Sequence, residues 1–164
     1  MYHEPTELYS EILPNLFMGG THDDATIDHP QTLNHFNGAK EFDCMVTLYA
    51  WAAPANWGIE ERRFGFPDAQ IIEEYIPTII DLAQWAHAKW TAGKRVNIRC
   101  QAGLNRSGLI TALTLMISGK SADEAITLIR EKRSGYALCN SDYELWLLNS
   151  AASYLAQEPI QRSA

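Results

Sequence analysis

Between Arg95 and Ser118 a short strand (Arg95–Arg99) runs without a linker into a glycine-containing segment, Gln101–Asn105. A helical pattern then begins near Arg106 and continues to Ser118. A strand handing directly to a helix through so few residues belongs to layered α/β architecture, and the rest of the chain repeats the alternation. Glu11–Phe17 reads as a strand pair interrupted at the turn signal Pro14-Asn15, closing at Gly19-Gly20. His29–Phe36 has the pattern of a short helix ending near Gly38, and Asp43–Tyr49 that of a buried central strand. Ile59–Phe64 reads as a short strand broken by Gly65 and Pro67.

From Ile71 to Thr91 apolar residues recur at helical spacing (Ile72, Ile76, Ile79, Ile80, Ala83, Ala86, Trp90). Pro77 within that run either occupies an early turn or kinks the helix, and Gly93 is its stop. Ser121 with Glu124 has the spacing of a capping box opening a helix to Arg133. Ser141 with Glu144 repeats it before a last helix carrying Leu145, Trp146, Leu148 and Tyr154. The expectation is an α/β fold: a small central, mainly parallel sheet of about four to five strands flanked by helices.

The 164 residues, 46% apolar and 20% charged, suit a single domain with its core over about 8–156. No repeat, low-complexity tract or linker divides them, and only Met1–Thr6 and Gln157–Ala164 read as loose ends. No apolar run is long enough to cross a bilayer, and Met1–Pro5 lacks the basic start and apolar centre of a signal peptide. The expectation is a cytoplasmic protein that does not bind membranes. Its net charge of −7 argues against broad binding to nucleic acid. Three cysteines (Cys44, Cys100, Cys139) in such a chain argue against a disulfide framework and for a reactive thiol. Nothing points to an oligomer, so a monomer is the default.

The chemistry lies in Cys100-Gln101-Ala102-Gly103-Leu104-Asn105-Arg106-Ser107. Backbone N–H groups of Gln101, Ala102, Gly103, Leu104 and Asn105 can converge on one point, where the free N–H groups of the next helix add positive charge. Gly103 allows the backbone angles such a loop needs. The same field favours a cysteine thiolate, which is the nucleophilic form. Arg106 has the planar fork that holds two phosphoryl oxygens at once. Ser107 is placed to donate a hydrogen bond to the sulfur.

Cys-x5-Arg followed by Ser resembles the signature of the protein tyrosine phosphatase superfamily, and the chain as a whole looks like a small dual-specificity phosphatase. Glu11–Gly19, Val46-Thr47-Leu48, and Arg133 with Asn140 and Tyr143 are similar to further segments of that family. The resemblance implies a metal-free, cofactor-free hydrolysis of phosphomonoesters. Cys100 would take the phosphoryl group, and an aspartate upstream would protonate the leaving oxygen and then activate water. Asp68, in Phe66-Pro67-Asp68, lies 32 positions upstream (from 68 to 100) where the family keeps that acid. It implies also that Asn140 supports the phosphate loop. One departure stands out: the family's histidine before the cysteine is Arg99 here. Arg99 supplies donors and charge but accepts no hydrogen bond, which keeps open a phosphate-binding module with little turnover.

By resemblance the partner is a phosphorylated protein or peptide, bearing phosphotyrosine or phosphoserine/threonine. A phosphoinositide is weakened by the absence of lysine from the loop, and a nucleic-acid 5′-phosphate by the acidic balance. Other features have plainer readings. The Gly-Lys-Ser/Thr of a nucleotide P-loop is absent. His22-Asp23-Asp24 lacks metal-ligand spacing, and His3, His29, His35 and His87 are isolated. Asp68 is also a natural turn and helix-capping residue. Glu60, Glu61, Glu73 and Glu74 read as solvated faces, Cys44 and Cys139 as core. Trp51 and Trp57 either line a substrate pocket or pack a surface loop.

Overall fold

The structure is a computed structural model describing residues 5–21 and 41–157. The expected helix His29–Phe36 and the His22-Asp23-Asp24 segment lie outside the described residues. Strands β1 (Tyr9–Leu13) and β2 (Leu16–Gly19) form an antiparallel hairpin. Its turn holds Asn15 at φ 68°, a left-handed conformation that asparagine tolerates better than most side chains. Strands β3 (Cys44–Thr47), β4 (Glu60–Arg63) and β5 (Val96–Arg99) complete a sheet of order β1-β2-β5-β3-β4, parallel except for the hairpin. This is the expected α/β sheet with flanking helices. The edge strand β4, Glu-Glu-Arg-Arg, carries charges that discourage pairing with another chain.

Helix α1 (Ile76–Thr91) begins at Ile76 rather than Ile71, because a single 3-10 turn at Glu73–Tyr75 precedes it. Pro77 therefore stands in the first turn, where its missing N–H is no loss. The chain leaves α1 through Gly93 at φ 84°. Helix α2 (Arg106–Ile117) is the central element: every residue from Ser107 to Leu115 is buried. Helix α3 (Ala122–Lys132) opens with the expected box, the Ser121 hydroxyl accepting from Glu124 N–H and the Glu124 carboxylate from Ser121 N–H. Helix α4 (Ser141–Asn149) is capped one residue earlier than expected. Asn140 Oδ1 accepts from the N–H groups of Asp142 and Tyr143, and a break at Ser150 separates α5 (Ala151–Leu155).

The pleat divides the sheet into two unequal faces. Leu16, Met18, Cys44, Val46, Val96 and Ile98 enter the main core with α1, α2 and α3. Phe17, Phe42 and Met45 form a small cluster apart from it. At the end of β5 this alternation sends Cys100 into the main core, while Arg99 pairs in register with Thr47 on the other side.

Candidate active site

Cys100 follows the last residue of the central strand, and Arg106 opens α2. Between them the carbonyls of Gln101 to Leu104 are all engaged from outside the loop. The Gln101 carbonyl accepts from Thr21 N–H (2.9 Å) and the Leu104 carbonyl from Leu138 N–H (3.1 Å). Arg133, 2% exposed, donates through Nε to the Gly103 carbonyl (3.1 Å) and through Nη2 to that of Ala102 (3.5 Å). The same guanidinium reaches the carbonyls of Glu7 (2.6 Å) and Leu8 (3.2 Å), tying the loop to the entry of β1. Among the described residues the N–H groups of Gln101, Ala102, Gly103, Leu104 and Asn105 donate to no protein acceptor. A row of carbonyls satisfied from outside leaves those amides free for an anion.

Gly103 makes the turn possible twice over. Its φ is 72°, and a Cβ there would meet the Gly19 carbonyl carbon at 2.3 Å. The loop thus lies against the end of β2 more closely than any side chain permits.

Cys100 is 2% exposed, with Sγ 3.3 Å from the buried hydroxyl oxygen of Ser107. Arg106 donates through Nη1 to the Phe66 carbonyl (2.9 Å) and that of Leu48 (3.4 Å), and its guanidinium carbon stands 5.6 Å from the Tyr49 ring centroid. Its Nε is buried with no partner among the described residues. A buried donor without an acceptor is costly, and a second acceptor, such as a phosphoryl oxygen, would satisfy it.

Asp68 reaches this loop. Its Oδ2 accepts from Asn105 Nδ2 (2.9 Å) and its Oδ1 from Asn140 Nδ2 (2.8 Å). It caps no helix, since the 3-10 turn beyond it has Ile72 at its N-cap and no side-chain cap. Tyr143, fully buried, donates its hydroxyl to the Pro67 carbonyl (3.0 Å). Burial first, and then the negative field of Asp68, pushes the Tyr143 phenol up, so it remains a donor.

Arg99 takes a separate course. Its Nε donates to Thr47 Oγ1 (2.9 Å) and its Nη2 to the Ala53 carbonyl (2.6 Å) and Glu61 Oε2 (3.2 Å). These bonds hold the segment after β3. Arg63 adds hydrogen bonds to the carbonyls of Ala50 and Ala52, so Trp51 and Trp57 project from an anchored loop, 71% and 98% exposed. Glu61 is consequently no solvated residue: its side chain is 13% exposed. Burial alone would raise its carboxyl, but Thr47, the Ala55 N–H, Arg99 and Arg63 together hold it below the usual carboxylate range.

The cysteines divide differently from expectation. Cys44 is buried, and burial, then Glu60, pushes its thiol up. Cys139 is exposed instead of core. Leu138, at φ 58°, turns its side chain inward against Gly108, and the next residue faces out, within 3.5 Å of the Asn105 side chain. Sequence reasoning missed the roles of Arg133 and Asn105 in the site. Both act through contacts that no local pattern marks.

No protein-family model matches the chain. Protein tyrosine phosphatase type IVA 3 of Homo sapiens is 33% identical over 69 residues, covering 42% of this chain and 37% of that protein. Protein tyrosine phosphatase domain-containing protein 1 of Danio rerio is 29% identical over 109 residues, covering 62% and 15%. The chain thus matches well under two thirds of the length of either relative. Among solved structures, human DUSP28 superposes with a TM-score of 0.70 at 18% identity, covering 94% of this chain and 100% of that one. Tk-PTP in its active form gives 0.67 at 22%, covering 90% and 95%. PTPMT1 in complex with PI(5)P gives 0.65 at 15%, covering 92% and 100%. The chain has the fold of the protein tyrosine phosphatase superfamily, in its small dual-specificity form, and resembles that superfamily in sequence.

Proposed function

We propose that the protein hydrolyses phosphomonoesters through a phosphocysteine intermediate on Cys100. The observation that carries the reading is the loop itself: among the described residues the five consecutive amides after Cys100 donate to no protein acceptor, and Nε of Arg106, which closes the loop, has no partner. That arrangement suits a phosphate dianion. In the first step Sγ attacks phosphorus. The P–O bond breaks with its electron pair on the leaving oxygen, and the proton of Asp68 passes to that oxygen. In the second, Asp68 takes a proton from water, whose oxygen attacks phosphorus, and the sulfur leaves as thiolate beside Ser107. The loop and Arg106 supply the positive charge, so the scheme invokes no metal.

The substrate in this reading is a phosphorylated protein or peptide, and the setting cytoplasmic. Between Cys100 and Arg106 no residue is basic, which argues against a multiply charged inositol headgroup. The relative solved with PI(5)P makes a phosphoinositide the second substrate to test. Phosphate release is measured without added metal from phosphotyrosine and phosphoserine peptides and from a phosphoinositide, for the wild type, Cys100→Ser and Asp68→Ala. The expected result is peptide turnover lost in Cys100→Ser and strongly reduced in Asp68→Ala. Activity that survives Cys100→Ser overturns the mechanism. Tight phosphopeptide binding without wild-type turnover identifies a binding module.

A further inference from the structure

The reading of Asp68 as proton donor leaves open what aims it. Asp68 is exposed on a connecting segment, where a lone carboxylate would rotate freely and spend little time directed at any one atom. Instead both its oxygens are held. Asn105 Nδ2 donates to Oδ2 and Asn140 Nδ2 to Oδ1, while the backbone N–H of Asn140 donates to Asn105 Oδ1 (3.0 Å). The three residues close a ring of hydrogen bonds. Asn140 Nδ2 also binds the Ala69 carbonyl (3.1 Å), and its Oδ1 caps α4, so its side chain has no spare rotamer. Asn105 stands at the N-cap position of α2 but caps nothing with its side chain, whose amide is held by the ring and lies 3.5 Å from Cys139 Sγ.

Resting on that reading of Asp68, we propose that Asn105 and Asn140 are positioning residues that orient its carboxyl group over the phosphate loop. Two donors in fixed directions set the plane of the carboxyl group and leave each oxygen a second lone pair for the transferred proton. The ring also joins three separate pieces of chain: the acid's segment, the residue adjoining the phosphate clamp, and the start of α4. Displacing any one of them displaces the acid relative to the phosphorus, and proton transfer is sensitive to such misplacement.

A positioning role has a signature that general loosening of the loop lacks. Both kinds of aryl phosphate need Cys100 and Arg106, but only a poor leaving group needs the proton. The full chain is assayed on phenyl phosphate and on 2,4-dinitrophenyl phosphate as wild type, Asn105→Ala, Asn140→Ser and Asp68→Ala. Serine at 140 keeps a good helix cap while removing the amide donor. Asn105→Ala and Asn140→Ser should each lose roughly tenfold or more in kcat/KM, which reports the first step alone, on phenyl phosphate, and under about threefold on the dinitrophenyl ester, a fraction of what general acid catalysis typically supplies. Asp68→Ala should show the same dependence more strongly. If Asp68→Ala keeps that dependence while the asparagine variants lose equally on both esters, or on neither, the positioning role is overturned and the acid stands. If Asp68→Ala itself shows no dependence on the leaving group, the acid assignment fails and the positioning role with it.

Discussion

The sulfur of Cys100 and the hydroxyl oxygen of Ser107 lie 3.3 Å apart, both buried at the base of the loop. A hydroxyl at that distance stabilises the sulfur anion more than a sulfur bonded to phosphorus, so in the proposed mechanism its help falls on the second step, when the thiolate departs. Ser107→Ala should therefore slow breakdown of the intermediate. A hydrogen bond to a charged group contributes about 1.5–3 kcal/mol, which corresponds to a loss of roughly 10- to 100-fold in kcat. Rapid mixing with an aryl phosphate should show an initial burst of phenol larger than in the wild type. A uniform fall in the burst rate, with no change in its amplitude, would contradict this assignment.

Arg106 Nε is buried without a partner among the described residues, so under the proposed function a bound anion should stabilise the protein. Vanadate or inorganic phosphate should raise Tm in proportion to the logarithm of concentration. At a hundredfold excess over Kd the gain is about 2.7 kcal/mol, or roughly 5–10 °C for a domain this size. Arg106→Lys, which has no planar fork, should abolish most of the shift. An undiminished shift in that variant would move the anion site elsewhere.

Arg133 joins the phosphate loop to the N-terminal segment through carbonyls on both sides. Lysine at this position cannot reach them all, and each carbonyl left buried and unpaired is destabilising. Arg133→Lys should cost about 2–4 kcal/mol, read from urea unfolding with an unchanged m-value. A cost below about 1 kcal/mol, the range of ordinary surface changes, would mean the carbonyls find other donors.

Glu61 should make the fold sensitive to acid. Its carboxyl is held below its unfolded value by Thr47, Ala55 N–H, Arg99 and Arg63 against the opposing effect of burial. A lowered value means the folded state favours the ionised form. The resulting stability is complete above the unfolded carboxyl value of about 4.3 and disappears as pH falls through the lower folded value. Glu61→Gln should flatten the dependence of stability on pH below about 4.5 while removing the Glu61 charge from Arg99. An unchanged acid limb would show that other carboxylates govern it.

Patterns of short range in the chain were enough for the strand, the glycine loop, the helix after it, the hairpin at Pro14-Asn15 and the box at Ser121, since each depends on neighbours within a few residues. The proposed nucleophile, the proposed clamp and the distance back to Asp68 stand out in the chain for the same reason: residue type and spacing are properties of the chain. The cap at Asn140 was misplaced by one position because Ser141 satisfies the same local rule, and only competition within the folded loop favours the amide.

What the folded state alone decided are partnerships across long separations. The Arg133 guanidinium meets Glu7 across 126 positions, and Asn140 meets Asp68 across 72. Whether Arg99 faces the loop or Thr47 depends on the pleat of β5, and whether Cys139 faces in or out depends on one left-handed residue, Leu138. Such outcomes follow from the packing of elements against one another, where the hydrogen-bonding needs of many buried groups are met together and no single stretch of sequence records the solution.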